Sequence, residues 1–493
     1  IYRNLSRPRT QLWMSCSMAD IEGNLSKPSG IFARLTELFP QLAVEKDVLN
    51  RTGEAQTALA CGGVAPLRHL TEALQETMEG KPLGEPWTEM LDWYQQHDDA
   101  KLMPIRRGLA FTNKQEALGR KVADALYKRD FDTALSLSPS RLERYARCAF
   151  SHLIQYGLKP EERRVFEVAP REIGDIYHQC LMELTAKLTL PDVPVTAPES
   201  PWMTMTREEC RTFVEQTVAR ETASYREGLF QLGSEEQYRS RRIADICEKV
   251  CWVCIEQVRA GQILSSRFEV PFGRGRAIPP IAVEAEGRQI FIEGKIDRVD
   301  ILRGERVKII DYKTGNENFS KSEAEAGYRL QLMLYLNACL GEHTGGAARK
   351  PAGVFYFHIS EPMVDWSAKA PDAEKLAQEV RKNFKMNGVL VDDPQVIESI
   401  AGDFSGYSEI LPLRNGKDGI SATSGDTLLS ETEFAALTET VSQKVTELCR
   451  DLAVGKIDIE PMKTRDRSAC TYCQYKGICR FDTIFEGCRW RSV

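Results

Sequence analysis

Glu293-Gly-Lys-Ile-Asp297-Arg-Val-Asp300, followed by Ile309-Ile-Asp311-Tyr-Lys313-Thr-Gly315, is the stretch on which the fold turns. Apolar and polar residues alternate through both halves with the period of a half-buried strand. Arg303-Gly304 between them reads as a turn, so the pair predicts a β-hairpin. On the second strand, alternation sets Asp311 and Lys313 on the face of Val307 and Ile309. Asp297 falls on the neighbouring strand. Two carboxylates and an ammonium group at the end of a buried strand are costly unless paired or metal-bound. Mg²⁺ takes hard oxygen ligands and keeps several waters, so two aspartates plus a substrate phosphate suit it. A lysine beside them can orient water or neutralise charge building on phosphorus. Together these are the parts of metal-assisted phosphodiester hydrolysis. Taken alone, Asp-x-Lys is ordinarily a surface ion pair, so its neighbours decide the reading.

A helix is expected over about 323–340. It puts Tyr328, Gln331 and Tyr335 at i, i+3 and i+7 on one face, a polar pair where packing should be apolar. A second helix starting near Glu172 carries Gly174-Asp-Ile-Tyr-His178, and its neutral imidazole is a candidate third metal ligand. Alone, either residue is as well explained by ordinary helix packing or exposure. Upstream, Ser140 and Glu143 form an S-x-x-E capping box, opening a helix that buries Leu142, Tyr145, Ala146, Ala149 and Phe150. Residues 206–230 and 235–260 read as long helices, 262–270 and 289–302 as strands, 353–358 as a buried strand, and 431–454 as a last helix. Residues 1–40 read as strand, loop and short helix, and 41–135 as helical. Residues 400–430, rich in Gly, Ser and Asp, read as an irregular insertion. The class is α/β.

The chain has 493 residues, 42% hydrophobic and 28% charged, which is ample for a core and excludes disordered and collagen-like classes. No run of 18 apolar residues occurs, so no membrane partner or span is expected. The start, Ile-Tyr-Arg-Asn, lacks Met and reads as a piece of a longer chain. A net charge of −6 means that any contact with nucleic acid is local. Arg241-Arg242, Arg274-x-Arg276 and Lys463-x-Arg465-x-Arg467 are the candidates. The 14 cysteines in so long a chain speak for reduced thiols and a cytoplasmic setting rather than a disulfide framework. Cys470-x2-Cys473-x5-Cys479 has metal-ligand spacing. A fourth thiolate could come from Cys488, from the 247/251/254 group (read as helix packing), or from Cys148. Four thiolates suit zinc or an iron–sulfur cluster; spacing does not separate them, and taken bare it leans slightly to zinc.

Gly174-x3-His178, Gly294-Lys-Ile-Asp297, Asp311-Tyr-Lys313-Thr-Gly315 and Gln331-x3-Tyr335 together resemble the RecB-type branch of the PD-(D/E)XK nucleases. One cysteine before that core and three after it resemble its iron–sulfur subgroup. Within the subgroup the likeness is to the AddB family of bacterial ATP-dependent helicase/deoxyribonucleases. Ser138-Pro-Ser140-x-Leu142-Glu-x-Tyr145-x2-Cys148-x-Phe150 looks like the segment carrying that family's first cluster cysteine. Tyr2-Arg-Asn-Leu5-Ser-Arg7, Glu22-Gly23 and Pro28-Ser29 resemble the end of its helicase-like half.

The resemblance implies a restriction-endonuclease-like nuclease domain over 136–493, preceded over 1–135 by the end of a helicase-like domain and a helical connection. It implies Mg²⁺ or Mn²⁺ on Asp297, Asp311 and His178, hydrolysis assisted by Lys313, and DNA contact or site support from Gln331 and Tyr335. It implies a structural [4Fe–4S] cluster on Cys148, Cys470, Cys473 and Cys479. It also implies an AddA-type motor protein as partner, and exonucleolytic trimming of the 5′-ended strand at double-strand breaks for recombinational repair in a bacterial cytoplasm. Two features depart from the family pattern. Pro8 follows Arg7 where Ala is usual in the helicase motif, and no G-x-x-x-x-G-K-[ST] loop is present, so no ATPase is expected of this stretch. The competing readings are a stand-alone CRISPR-associated-type iron–sulfur exonuclease and an inert DNA-binding scaffold with a structural metal site.

Overall fold

The computed structural model describes residues 2–19, 25–43, 54–61, 66–113, 117–127, 134–161, 170–191, 193–225, 228–231, 233–315, 317–342, 348–359, 381, 383–423, 425–465, 467–483 and 485–493. Glu22 and Gly23 lie outside them. The chain divides into two compact units, 1–110 and 111–493. The division expected at 135/136 differs from this one by the segment 111–135, whose helix Arg120–Tyr127 buries Ala123 and Tyr127 in the core of the second unit.

In the first unit, helices Pro66–Met78, Glu85–His97 and Asp99–Leu109 gather around Leu70, Trp87 and Leu102. Tyr2–Ser6 is helical where the sequence reading expected a strand.

The second unit is built on a six-stranded mixed sheet. Its strands are β1 (Ile263–Phe272), β2 (Gly294–Leu302), β3 (Arg306–Lys313), β4 (Lys350–His358), β5 (Asn387–Val391) and β6 (Leu428–Leu429). They lie side by side in chain order. β1 with β2, β2 with β3, and β4 with β5 pair antiparallel, whereas β3 with β4 and β5 with β6 are parallel. A parallel pair needs a crossover, and helix Gln331–Leu340 lies in the one between β3 and β4.

Alternation sorts the side chains cleanly. Val307 and Ile309 of β3 and Val354 and Tyr356 of β4 face one core, with helices Pro139–Arg147, Gln331–Leu340 and Glu431–Ala453. Ile310 and Tyr312, with Phe355 and Phe357, face the other, beneath helices Pro170–Leu188, Arg207–Ser224 and Ser234–Ala260. Helices on both faces of one sheet make the α/β sandwich that the hairpin reading called for.

Four further expectations change in the structure. The strand read over 289–302 is two: Arg288–Ile292 pairs in a separate three-stranded sheet with Leu135–Leu137 and Ile281–Ala285, and β2 starts afresh at Gly294. The break falls at Glu293, whose carboxylate turns aside to accept from Arg274 and Ser136. The helix read over 323–340 is Lys321–Glu325 and Gln331–Leu340, parted at Gly327 with φ +88°. Residues 400–430 are not irregular throughout: Gly406–Tyr407, Leu413–Gly416 and Gly419–Ala422 form a small antiparallel sheet, and β6 extends the main one. Finally, Ser140 and Glu143 make no capping box. With Pro139 in the first turn, the cap is Ser138, whose hydroxyl accepts from the Arg141 amide, and Glu143 is used elsewhere.

Asp300, quoted above with the acidic strands, belongs to the second core. It is fully buried between Arg298 (Nε–Oδ1 2.8 Å) and Lys308 (Nζ–Oδ2 2.7 Å), and Ser266 donates to it. Burial alone would raise its pKa, but the two cations hold it at about 2. Asp300→Asn should therefore leave two buried cations without a counter-charge and cost about 3–5 kcal/mol. Urea unfolding checks this, and a wild-type midpoint would refute it.

Candidate functional site

Pairing between β2 and β3 ends at Arg298 and Ile310. Beyond that rung lie Asp297 and Asp311, so the two aspartates sit at the open end of the hairpin. Asp297 is fixed by the backbone, its Oδ2 accepting from the Tyr312 N–H at 2.9 Å. Asp311 is 1% exposed, and its Oδ2 lies 2.6 Å from the Lys313 ammonium. Lys313 donates onward to Gln331 Oε1 at 2.9 Å, and the Gln331 amide nitrogen donates to the Tyr335 hydroxyl at 2.7 Å. Tyr335 itself is buried, edge-on to Phe272. The sequence pattern thus becomes one continuous run of contacts, Asp311–Lys313–Gln331–Tyr335.

Helix Pro170–Leu188 brings His178 to the same place, with Nδ1 3.8 Å from Asp297 Oδ2. A residue missed in the sequence joins it: Glu269 of β1, whose Oε1 is 3.7 Å from the same nitrogen. Among the described residues, the one group of three or more metal-type donors within 4.8 Å of one another is His178, Glu269 and Asp297. Glu269 stands in the left-handed region, φ +50°, inside a strand. That costs about 1–2 kcal/mol for an L-residue, the kind of strain that gathers at working sites. The only sequence signal was a glutamate interrupting Arg267-Phe-Glu-Val-Pro-Phe272, a pattern equally natural to an edge strand.

The electrostatics follow from this crowding. Burial, then the neighbouring Asp297, push Asp311 up to about 7 against the pull of Lys313. Burial likewise raises Asp297. Burial alone would lower His178, but Glu269, Asp297 and Asp311 outweigh it and hold the imidazole above its usual value. For Glu269, His178 and Lys295 outweigh burial and lower its pKa. Asp297 and Asp311 are thus a pair of buried acids raised first by their loss of water.

Cys148, Cys470, Cys473 and Cys479 line one small pocket, walled by Phe150, Tyr475 and Phe481. Cys148 closes the capped helix and starts the next, its sulfur accepting from the Ser151 N–H at 3.5 Å. Burial, with Cys473 and Cys479 nearby, raises Cys148 to about 11; burial and the other three thiols raise Cys470 to about 12. Thiols gathered in this way would give up their protons around a cation. Cys488 lies outside the pocket lining, and Cys247, Cys251 and Cys254 are buried in helix packing, as the sequence suggested. Of the basic candidates, Arg274 is engaged by Glu293, Arg242 lies over Tyr238, and Lys463 sits over Trp490 beside the cysteine loop.

Residues 136–480 match the model of the PD-(D/E)XK nuclease superfamily, and residues 52–104 match that of the ATP-dependent helicase/deoxyribonuclease AddB fifth domain. A protein of Alkaliphilus oremlandii, named as a subunit of an ATP-dependent helicase/deoxyribonuclease, is 33% identical over the whole of this chain. One of Clostridium botulinum (strain Hall) with the same name is 28% identical. The chain spans 42% and 43% of those two relatives.

Asp311 carries a pH signature. Its folded pKa of about 7 exceeds the ordinary 3.8, so the folded state holds the proton more tightly. Stability of chelator-treated protein should fall as pH rises from about 4 to about 7, then level off. Asp311→Asn should shrink that slope, leaving the smaller part owed to the buried Asp297. At pH 8 the metal-free variant should melt several degrees above metal-free wild type, with the gap closing near pH 4. Parallel melting curves across that range would refute the assignment.

Proposed function

The chain belongs to the PD-(D/E)XK nuclease superfamily, and from that premise we propose that it is the nuclease part of a helicase–nuclease subunit. In this reading it degrades DNA from double-strand ends during recombinational repair, as the partner of an AddA-type motor protein in the bacterial cytoplasm, and trims the 5′-ended strand. The observation that carries the proposal is the meeting of Asp297, Asp311, Lys313 and His178 at the open end of one hairpin.

The residues fit a divalent ion. Their donors are carboxylate oxygens and an imidazole nitrogen, suited to Mg²⁺ or Mn²⁺. Asp311 Oδ2 is buried without a well-aligned hydrogen bond, and burial raises the pKa of both aspartates. Asp297, Asp311 and His178 would hold the ion, and we add Glu269 as a fourth ligand. When bound, it supplies Lewis-acid polarisation and a water of lowered pKa. The chain's own groups do the rest. Lys313, tethered to Gln331, faces the phosphate with its ammonium and stabilises charge that develops there. Gln331, itself held by Tyr335, gives that ammonium a second partner beside Asp311. Lys463, Arg465 and Arg467 next to the cysteine loop contribute phosphate contacts that position DNA without reading its sequence.

We assign the four-cysteine pocket to a [4Fe–4S] cluster that pins the tail to the helix ending at Arg147. Zinc draws four sulfurs to about 3.8 Å from one another at its Zn–S distance, whereas these thiols, all among the described residues, form no group of three within 4.8 Å. A cubane, with thiolates on separate irons, accepts the wider set.

Two measurements test these assignments. Asp311→Ala in the full-length protein with its motor partner should lower Mg²⁺-dependent degradation of linear DNA by about a hundredfold or more, about 2.7 kcal/mol in barrier. Unchanged degradation would place catalysis elsewhere. Anaerobically purified protein should carry about four irons and four sulfides per chain, lost in Cys470→Ala. Stoichiometric zinc without iron would overturn the cluster assignment.

A further inference from the structure

Glu143 is 7% exposed and lies on helix Pro139–Arg147, on the core side of the sheet that carries Asp311. Its Oε1 accepts two backbone hydrogen bonds from another helix: the Leu330 N–H at 2.7 Å and the Gln331 N–H at 2.8 Å. Its Oε2 meets Arg147 at 3.3 Å, and Arg147 in turn donates to the Tyr328 carbonyl at 3.1 Å and lies over the Tyr328 ring. Helix Gln331–Leu340 has no side-chain cap of its own and no acidic residue in its first turn. Glu143 therefore caps it from outside, supplying both the acceptor and the negative charge that a helix N-terminus favours.

The residue so held is Gln331, whose side chain receives the Lys313 ammonium at 2.9 Å. The path from Glu143 to the reacting region is short: carboxylate, first-turn amides, Gln331 side chain, Lys313.

We propose that Glu143 is a positioning residue of the nuclease site, fixing the N-terminus of the Gln331 helix so that the Gln331 amide holds Lys313 in its working place. This rests on the reading of Lys313 and Gln331 as working groups. Glu143 touches neither DNA nor ion. It acts through a displacement that it prevents, and a misplacement of about 1 Å can cost on the order of a hundredfold in rate.

Three substitutions separate reach from charge. Glu143→Gln keeps the length, and its amide oxygen has two lone pairs for the two N–H groups. Glu143→Asp keeps the charge but is one methylene too short. Glu143→Ala loses both. In the full-length protein with its motor partner, with linear DNA and Mg²⁺, Glu143→Ala and Glu143→Asp should lower kcat about 30–100-fold with KM for DNA within about twofold. Glu143→Gln should recover to within about fivefold of wild type. Hydrogen exchange in the peptide covering residues 328–336 should speed up in the Ala and Asp variants and much less in Gln. Should Glu143→Ala fail to fold, the Gln and Asp pair carries the same comparison. Adding Gln331→Ala to Glu143→Ala should cost nothing beyond Gln331→Ala alone.

Active Asp with inactive Gln, or lost activity with unchanged exchange in 328–336, would overturn the proposal. If Gln331→Ala leaves kcat intact, the reading of the site falls and takes this inference with it. If Gln331→Ala is impaired while Glu143→Ala is not, only the role of Glu143 falls.

Discussion

Two carboxylates forced together out of water are the constraint around which the second unit is organised. Asp297 and Asp311 are raised by burial, and Asp311 further by its neighbour. A sheet that ended there with nothing else would expel them. Instead, the surroundings compensate locally: a backbone N–H on Asp297, an ammonium on Asp311, and an imidazole held above its usual pKa by the acids around it. The burial that these contacts leave uncompensated is what a bound divalent ion would relieve in the proposed reading. In that reading, catalytic competence and local instability share a source, a common trade at working sites.

The two faces of the sheet handle buried charge differently. On one, Asp300 is matched by Arg298 and Lys308 and closed off by Ser266, with the pKa held at about 2. At the hairpin's end, the like-charged pair is left undermatched. Only a few residues of β2 and β3 separate the two arrangements. Position along the strand decides whether an acid is fully matched or left undermatched, which is why a count of acidic residues in the motif says little until the register is known.

Much of this was readable in the sequence, because strand alternation and helical spacing are short-range facts. Asp311 with Val307 and Ile309, Gln331 beside Tyr335, and the long helices all follow from local periodicity. What escaped depended on chain segments distant in sequence or on backbone conformation. Glu269 turns toward His178 through a left-handed φ that no periodicity encodes. Glu143 matches a local capping signature, yet Pro139 shifts the cap to Ser138 and frees the carboxylate for another helix. Glu293 interrupts a β-rich run because its partners, Arg274 and Ser136, come from other segments. In 400–430, Asn415-Gly416-Lys-Asp-Gly419 was a hairpin signal hidden by composition.

The strands of the main sheet lie in the order in which the ribosome makes them. Each can dock on its predecessor as it emerges, the two parallel steps, β3 to β4 and β5 to β6, waiting on longer connections. The thiol pocket is the exception to this vectorial order, since Cys148 precedes every strand of that sheet while Cys470, Cys473 and Cys479 follow them all. Its four sulfurs can meet only once all six strands have been made. Maturation of that pocket is thereby a late event, and a chain that stops short of Cys470 could assemble the sheet and still never be completed.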